Sequence, residues 1–315
     1  MGQISASFSN NTIELMKEHY EKHKEKPPQG AIFRARVNGT VITGYKSGKV
    51  LFQGANVENE FAKWEKYEVT PITSSKRNLF SVNNETNFTP PKTLFEQSHI
   101  GSDESGTGDY FGPITTCAVY VKAEQIDDLR KMGIQDSKAI SDSKVKKLAK
   151  QLIDLDIPYS LMVLRNERYN ELQRKGWSQS KMKTILHHAV IEKVIEKVNL
   201  APEENKLIDQ FCSTDIFKKY LSEEGKSLFQ HTYFMTKAED YSIAVAAASI
   251  IARASFLQEM DKLSQLVGCD LIKGASAEVD RLIANIIQAN GQEILPKIAK
   301  VHFANTKKAM QYLKK

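Results

Sequence analysis

Asp103 and Glu104 stand side by side in the stretch GSDESGTGDYFGP, residues 101–113. Small residues precede them and glycines follow, so nothing bulky shields the pair. Adjacent carboxylates repel each other unless a proton or a cation lies between them. Other acids fall in similar places. The apolar pair Leu207-Ile208 runs directly into Asp209, and the segment HTYFMTK leads through Ala238 to Glu239 and Asp240. Each segment reads as a strand with acid at its carboxyl end, where sites form in open α/β sheets. Four carboxylates converging there are poor acid–base machinery without a counter-charge. They are good ligands for a hard divalent cation such as Mg2+ or Mn2+, which prefers oxygen. Two such ions about 4 Å apart activate a water and stabilise the leaving oxygen of a phosphodiester. Taken singly, each acid is more often a helix cap or an ion-pair partner. The adjacent pair inside a glycine-rich loop lifts the pattern above that. Glu239 and Asp240 both sit at the start of the next helix, and spacing alone does not choose between them.

The loop at Gly106, Thr107 and Gly108 is either a tight turn or a place where backbone N–H groups meet a sugar or phosphate. Its glycines are expected to leave room for something large to come close to the backbone. No His or Cys cluster has zinc-ligand spacing, and His187 and His188, adjacent on a helix, point in different directions. The three cysteines, Cys117, Cys212 and Cys269, are odd in number and far apart. They read as reduced thiols of a reducing compartment. The start, MGQISASFSN, is polar and lacks an apolar signal core. The small-apolar run Ile243 to Ala252 stops at Arg253, short of the roughly 20 residues that span a bilayer. It is expected to be a core helix packing closely behind the acids, in a cytoplasmic protein with no membrane segment.

The elements that must carry these residues follow from periodicity. With 315 residues and 41% hydrophobic content, the chain is long enough for two domains, or one large domain with an appendage. A net charge of +6 leans weakly toward an anionic partner. Residues 12–25 have helical periodicity up to Pro27-Pro28, 31–37 alternate like a half-buried strand, and Asn38-Gly39 is a hairpin signal. Two more short strands and a helix over 55–68 complete a small α+β module, 1–70. Residues 71–97, rich in Ser, Thr, Asn and Pro, read as a linker partly ordered against its neighbours. From 98 to 315, strands are predicted near 98–104, 113–122, 157–164, 205–210 and 230–237. Helices are predicted near 124–132, 141–154, 180–198, 213–222, 241–263 and beyond 278. The first two strands are close enough for a hairpin, and the later ones, separated by helices, are expected to be parallel. Trp64 and Trp177 read as packing residues.

These residues resemble a known family. SDESGTGDYFGP is similar to the DEaGrG…GP signature of the type 2 ribonucleases H. QDSKAIS at 135–141 resembles their DSK element, and KAEDYSIAVAAASIIAR at 237–253 their KgD…AASIiAK element. Thr107 where the family carries Arg, Glu239 in the fourth acidic position, and the preceding module are features of the ribonuclease HIII branch. HFANT at 302–306 and LIKGAS at 271–276 resemble that branch's C-terminal elements. The resemblance implies a ribonuclease H-like mixed five-stranded sheet with flanking helices, plus an N-terminal TATA-binding-protein-like module that grips substrate. It implies cleavage of the RNA strand of RNA–DNA hybrids, leaving 3′-hydroxyl and 5′-phosphate ends. It implies Asp103, Glu104, Asp209 and Glu239, not Asp240, as catalytic residues holding Mg2+ or Mn2+. The family's Arg accompanies cutting at single embedded ribonucleotides, so Thr107 implies a preference for runs of them.

Telling RNA from DNA needs a reader of the 2′-hydroxyl, and the backbone around Ser105, Gly106, Thr107 and Gly108 is the best placed. Lys138 and Lys237 are candidates for phosphate contact or charge neutralisation. In the N-terminal hairpin, Tyr45, Lys46 and Lys49 put an aromatic among cations, as a nucleic-acid surface would, and Arg34 and Arg36 share the polar face of their strand. A monomer is expected. Two other functions stay open. A non-catalytic binder on the same fold would usually have lost one of the four acids, whose clustered charge is costly without a metal. A different metal nuclease on this fold would be told apart by cleavage of all-DNA duplex.

Overall fold

A computed structural model describes residues 2–28, 30–45, 47–54, 56–70, 88–134, 140–201 and 203–313. The chain divides into two compact units, 1–83 and 84–315.

The first unit is built on six strands: β1 (Gly2–Phe8), β2 (Lys24–Glu25), β3 (Ala31–Val37), β4 (Thr40–Tyr45), β5 (Lys49–Gly54) and β6 (Glu68–Thr70). They form one antiparallel sheet in the order β2-β3-β4-β5-β1-β6. Helices α1 (Asn10–His19) and α2 (Val57–Ala62) accompany it. Asn38 and Gly39 both have positive φ, 48° and 76°, as a tight hairpin turn matched to strand twist requires. The three-stranded meander expected from sequence is thus half the sheet. The missed strand β1 lies inside it, with Ile4 opposite Phe52 and Ala6 opposite Val50. Its ISASF alternation buries Ala6 and Phe8 in a core with Ile13, Met16, Phe33, Ile42, Phe52 and Trp64. Helix α1 ends at His19, earlier than periodicity suggested, and one 3-10 turn leads into β2.

The second unit holds β7 (His99–Ser105), β8 (Ile114–Val121), β9 (Tyr159–Leu164), β10 (Asn205–Asp209) and β11 (Thr232–Met235). The sheet order is β11-β10-β7-β8-β9. As expected, β7 and β8 form a hairpin, and β10 and β11 join β7 in parallel. Strand β9 differs: its hydrogen-bonded neighbour is β8, antiparallel. It therefore points the same way as β7, β10 and β11, and β8 alone runs against the others. The helices are α3 (Ile126–Lys131), α4 (Asp142–Asp154), α5 (Asn166–Arg174), α6 (Gln179–Val198), α7 (Thr214–Glu223), α8 (Ile243–Val267), α9 (Ala277–Asn290), α10 (Leu295–Ile298) and α11 (Ala304–Ala309). Leu94, inside the expected linker, is fully buried beside Leu207 and Val245, and Phe88 O accepts from Phe234 N at 2.8 Å. Trp177 packs against Tyr169 and Met182.

Helix α8 positions the site. It is long and apolar enough to pass for a membrane span, yet 72% of its apolar window is buried in the protein. Ala244 and Ala246 to Ala248 are fully buried. On β7, a Cβ at Gly101 would lie 2.2 Å from Val245 N and 2.3 Å from the Ala244 carbonyl carbon. Strand and helix backbones therefore touch, which only a glycine facing alanines allows.

Gly101→Ala is expected to destabilise the protein by about 3 kcal/mol, read as a lower urea midpoint at unchanged slope. A shift within experimental error would mean that the strand–helix contact yields more easily than its backbone-to-backbone geometry implies.

Candidate active site

Strand alternation sorts the end of β7. Gly101 and Asp103 face α8, whereas Ser102 and Glu104 face α6. Asp103, 7% exposed, bonds the Ser249 side chain of α8 and accepts from Glu104 N at 2.7 Å. Glu104 meets two residues of α6: Lys183 Nζ at 2.7 Å from Oε1, and His187 Nε2 at 2.8 Å from Oε2. His187 Nδ1 lies 2.6 Å from Ser102 Oγ. The tautomer that satisfies both ring nitrogens has Ser102 donating to Nδ1 and Nε2–H donating to Glu104.

Asp209 ends β10. Its register partner one step past Ile208–Ser102 is Asp103, and its Oδ1 accepts from Ala238 N at 2.9 Å. Glu239 lies in the 3-10 turn Ala238–Asp240, is 4% exposed, and is hydrogen-bonded to Asp209. Asp240 is exposed. The three chain segments thus bring Asp103, Glu104, Asp209 and Glu239 to one end of the sheet.

Their electrostatics follow from crowding. Burial, then the charges of Glu104 and Asp209, push the Asp103 carboxyl well above the usual range. Burial, with Glu239 and Glu104 acting in the same direction, raises Asp209 to about 7 against the Ala238 N–H. Glu104 goes the other way: burial pushes it up, but the hydrogen bonds and charges of His187 and Lys183 outweigh that and hold it low. Among the described residues, no three His, Cys, Asp or Glu side chains are set closely enough to grip an ion as they stand. The donor set itself fits a hard divalent cation. It is all carboxylate oxygen, and two of its members favour a proton that a cation would displace.

The glycine loop is braced from several sides. Gln179 Nε2 donates to Thr107 O at 3.0 Å, and Gly274 N donates to Asp109 Oδ1 at 2.6 Å. The buried ammonium of Lys300 donates to Asp109 O at 2.9 Å and Gly112 O at 2.5 Å. Asn166 Nδ2 also donates to Gly112 O, at 2.8 Å. The two glycines of the loop are small for different reasons. Gly106 is buried at φ 89°, and a Cβ there would meet Pro113 O at 2.3 Å and the Phe256 ring, so its smallness serves the turn itself. Gly108 is exposed, with open space where a Cβ would stand. Ser105 and Thr107 are half-buried.

Lys237 sits on an exposed turn at φ 57°, with its backbone carbonyl bonded to Asp240 N. Lys138 and Lys46 lie outside the described residues. Tyr45 and Lys49 share the sheet face opposite the buried Ile42 and Val50. Arg34 and Arg36 alternate with the buried Phe33 and Ala35, as expected, and both ion-pair with Glu25 of β2, at 2.9 and 2.5 Å. Sequence reasoning missed Gln179, Lys183 and His187. Their signal was a four-residue spacing of polar groups inside a helix that also carries Met182, Leu186 and Val190.

Comparison with known proteins places these features in context. A sequence model of the ribonuclease HII family matches residues 100–306, and a domain family of unknown function matches residues 3–77. Ribonuclease HIII of Oceanobacillus iheyensis is 49% identical over 313 residues, covering 99% of this chain and 100% of its own. Ribonuclease HIII of Bacillus pumilus is 45% identical over 315 residues, with 99% and 100% covered. Among solved structures, Bst-RNase HIII in complex with Mn2+ is 40% identical, covers 99% of both chains and superposes with a TM-score of 0.68.

Asp209 binds its proton more tightly in the folded protein than in the unfolded chain, whose aspartates titrate near pH ~3.9. Its penalty is absent below that pH and complete above about 7, so folding stability is lost as pH rises through this window. In EDTA, Asp209→Asn keeps the acceptor for Ala238 N and should gain in melting temperature over wild type as pH rises from 5 to 8. A difference independent of pH would show that Asp209 is not held protonated by its neighbours.

Proposed function

The chain belongs to the ribonuclease HIII family, and from that premise we propose that it cuts the RNA strand of RNA–DNA hybrids, using divalent cations held by Asp103, Glu104, Asp209 and Glu239. It is an endoribonuclease, a phosphodiester hydrolase, and its cut leaves 3′-hydroxyl and 5′-phosphate ends. The observation that carries the reading is the convergence of those four acids, from three separate segments, at one end of the sheet. Mg2+ or Mn2+ bound there would activate the attacking water and stabilise the leaving 3′ oxygen. That a 40% identical relative was solved in complex with Mn2+ supports this choice of ion.

The protein's own groups supply the rest. Ala238 N–H fixes one oxygen of Asp209, Ser249 steadies Asp103, and Lys183 and His187 hold Glu104, so three of the acids are held by protein groups before substrate arrives. The braced loop 105–108 sets backbone groups beside the acids, where a 2′-hydroxyl would be read. Thr107 presents a short hydroxyl where the resembling signature has a guanidinium, and its carbonyl is spent on Gln179. Recognition of a lone ribonucleotide then has less to grip, which supports a preference for runs of ribonucleotides. Lys237 and the Tyr45–Lys49 face are proposed substrate contacts, the first toward phosphate and the second along the duplex. We take the enzyme as a monomer of the cytoplasm, where its three free cysteines stay reduced.

The test is cleavage of end-labelled hybrid in Mg2+ or Mn2+, beside a DNA duplex carrying one embedded ribonucleotide. Wild type should cut the hybrid, Asp103→Asn should be at least about 100-fold slower, a loss of ~2.7 kcal/mol in the barrier, and the single-ribonucleotide duplex should stay nearly uncut. An inactive wild type that still binds hybrid would turn the reading into a binding module. Efficient cutting at the single ribonucleotide would keep the chemistry and remove the role given to Thr107.

A further inference from the structure

Lys183 is a lysine where a core helix ordinarily buries an apolar residue. It is 8% exposed on α6, its ammonium is 2.7 Å from Glu104 Oε1, and the same ammonium lies 3.9 Å from the centre of the Phe211 ring. Lysine is rarely buried without a partner, and here the partner is one of the four acids. Glu104 has that ammonium on one oxygen and His187 on the other. The ring face of Phe211 favours a cation at that spot and closes it off from water.

We propose that Lys183 is a built-in rival of the divalent cation at Glu104. Its ammonium neutralises that carboxylate in the metal-free protein and thereby sets how tightly the metal is held. The proposal rests on the four acids being the metal ligands. Lysine and metal share one carboxylate, so a cation on Glu104 is a near neighbour of the ammonium, in a site that Phe211 and β7 shield from solvent. Like charges so placed weaken each other's binding. Removing the ammonium leaves the buried Glu104 with His187 as its remaining α6 partner when metal is absent, and more attractive to metal when it is offered. Lys183 is accordingly a positioning residue: it holds Glu104 aimed while it lowers the site's affinity. His187, on the other oxygen, keeps the carboxylate in place when the lysine contact loosens.

The experiment uses the full chain and Mn2+ alone as the probe. Lys183→Met keeps the stem against Phe211 and deletes the charge, and Lys183→Arg keeps the charge. Mn2+ affinity is measured by calorimetry at low salt, and melting temperature in EDTA and in saturating Mn2+. Lys183→Met should bind Mn2+ about tenfold more tightly than wild type, melt lower in EDTA, and gain more on Mn2+ saturation, while Lys183→Arg should stay close to wild type. Unchanged or weaker Mn2+ binding by a folded Lys183→Met, with the lower melting point alone, would overturn the proposal and leave a purely structural lysine. Wild type that fails to bind Mn2+ would overturn the metal reading itself, a separate result. Should Lys183→Met not fold, the wild-type Nζ resonance of Lys183 decides: it should move on saturation with Mg2+, and a fixed resonance would count against the proposal.

Discussion

Four carboxylates pressed together at one end of a sheet repel each other, and much of the second unit is an answer to that repulsion. Each acid is compensated differently. Asp103 has a serine hydroxyl and a backbone N–H, and leans toward its protonated form. Asp209 has a backbone N–H and shares a hydrogen bond with Glu239. Glu104 has an ammonium and an imidazole. A cation of charge two placed among them replaces protons and internal partners together, so ion binding and the conformation of these side chains are linked.

Bringing the acids together requires that backbones approach more closely than side chains normally permit. Gly101 lets α8 lie directly on β7, and the alanines of α8 meet it. That contact fixes where Ser249 falls, one face above Asp103. Behind the glycine loop a second set of constraints acts on carbonyls. Lys300 and Asn166 both donate to Gly112 O, and Lys300 also holds Asp109 O. Lys300 thus donates to carbonyls rather than to a carboxylate, and burial lowers it to about 7 against the charge of Asp109. The loop that would face the ribose is thus pinned by groups that never meet substrate.

The sequence made the scaffold of the second unit legible because its strands are short apolar runs bounded by acids or glycines. All five expected strands overlap the observed ones. What it hid was local in cause. Strand β1 is written in serines with Ile4, Ala6 and Phe8 between them, an alternation easily read as polar when it opens a chain. The pairing of β9 with β8 depends on tertiary order, which separation by helices does not encode. The four acids stood out because unlike contexts repeated one arrangement, a strand ending in carboxylate. The ion pairs of Arg34 and Arg36 were hidden because Glu25, their partner, lies on a two-residue strand with no pattern of its own.

The residues hardest to foresee are those on α6, and they share one geometry. Gln179, Lys183 and His187 are spaced by four, so they form a stripe that drifts by about 40° at each step. The first binds the Thr107 carbonyl, and the second and third bind the two oxygens of Glu104. One rigid helix therefore holds both the loop that would read sugar and the acid that would hold metal. On the other side of β7, α8 does the same for Asp103 with apolar packing and one serine. The strand is clamped between a polar helix and an apolar one, and the alternation of its side chains decides which acid meets which. Lysine and histidine on such a stripe look like solvent-facing residues in a sequence. They reveal their role only once the strand they face is known to carry charge.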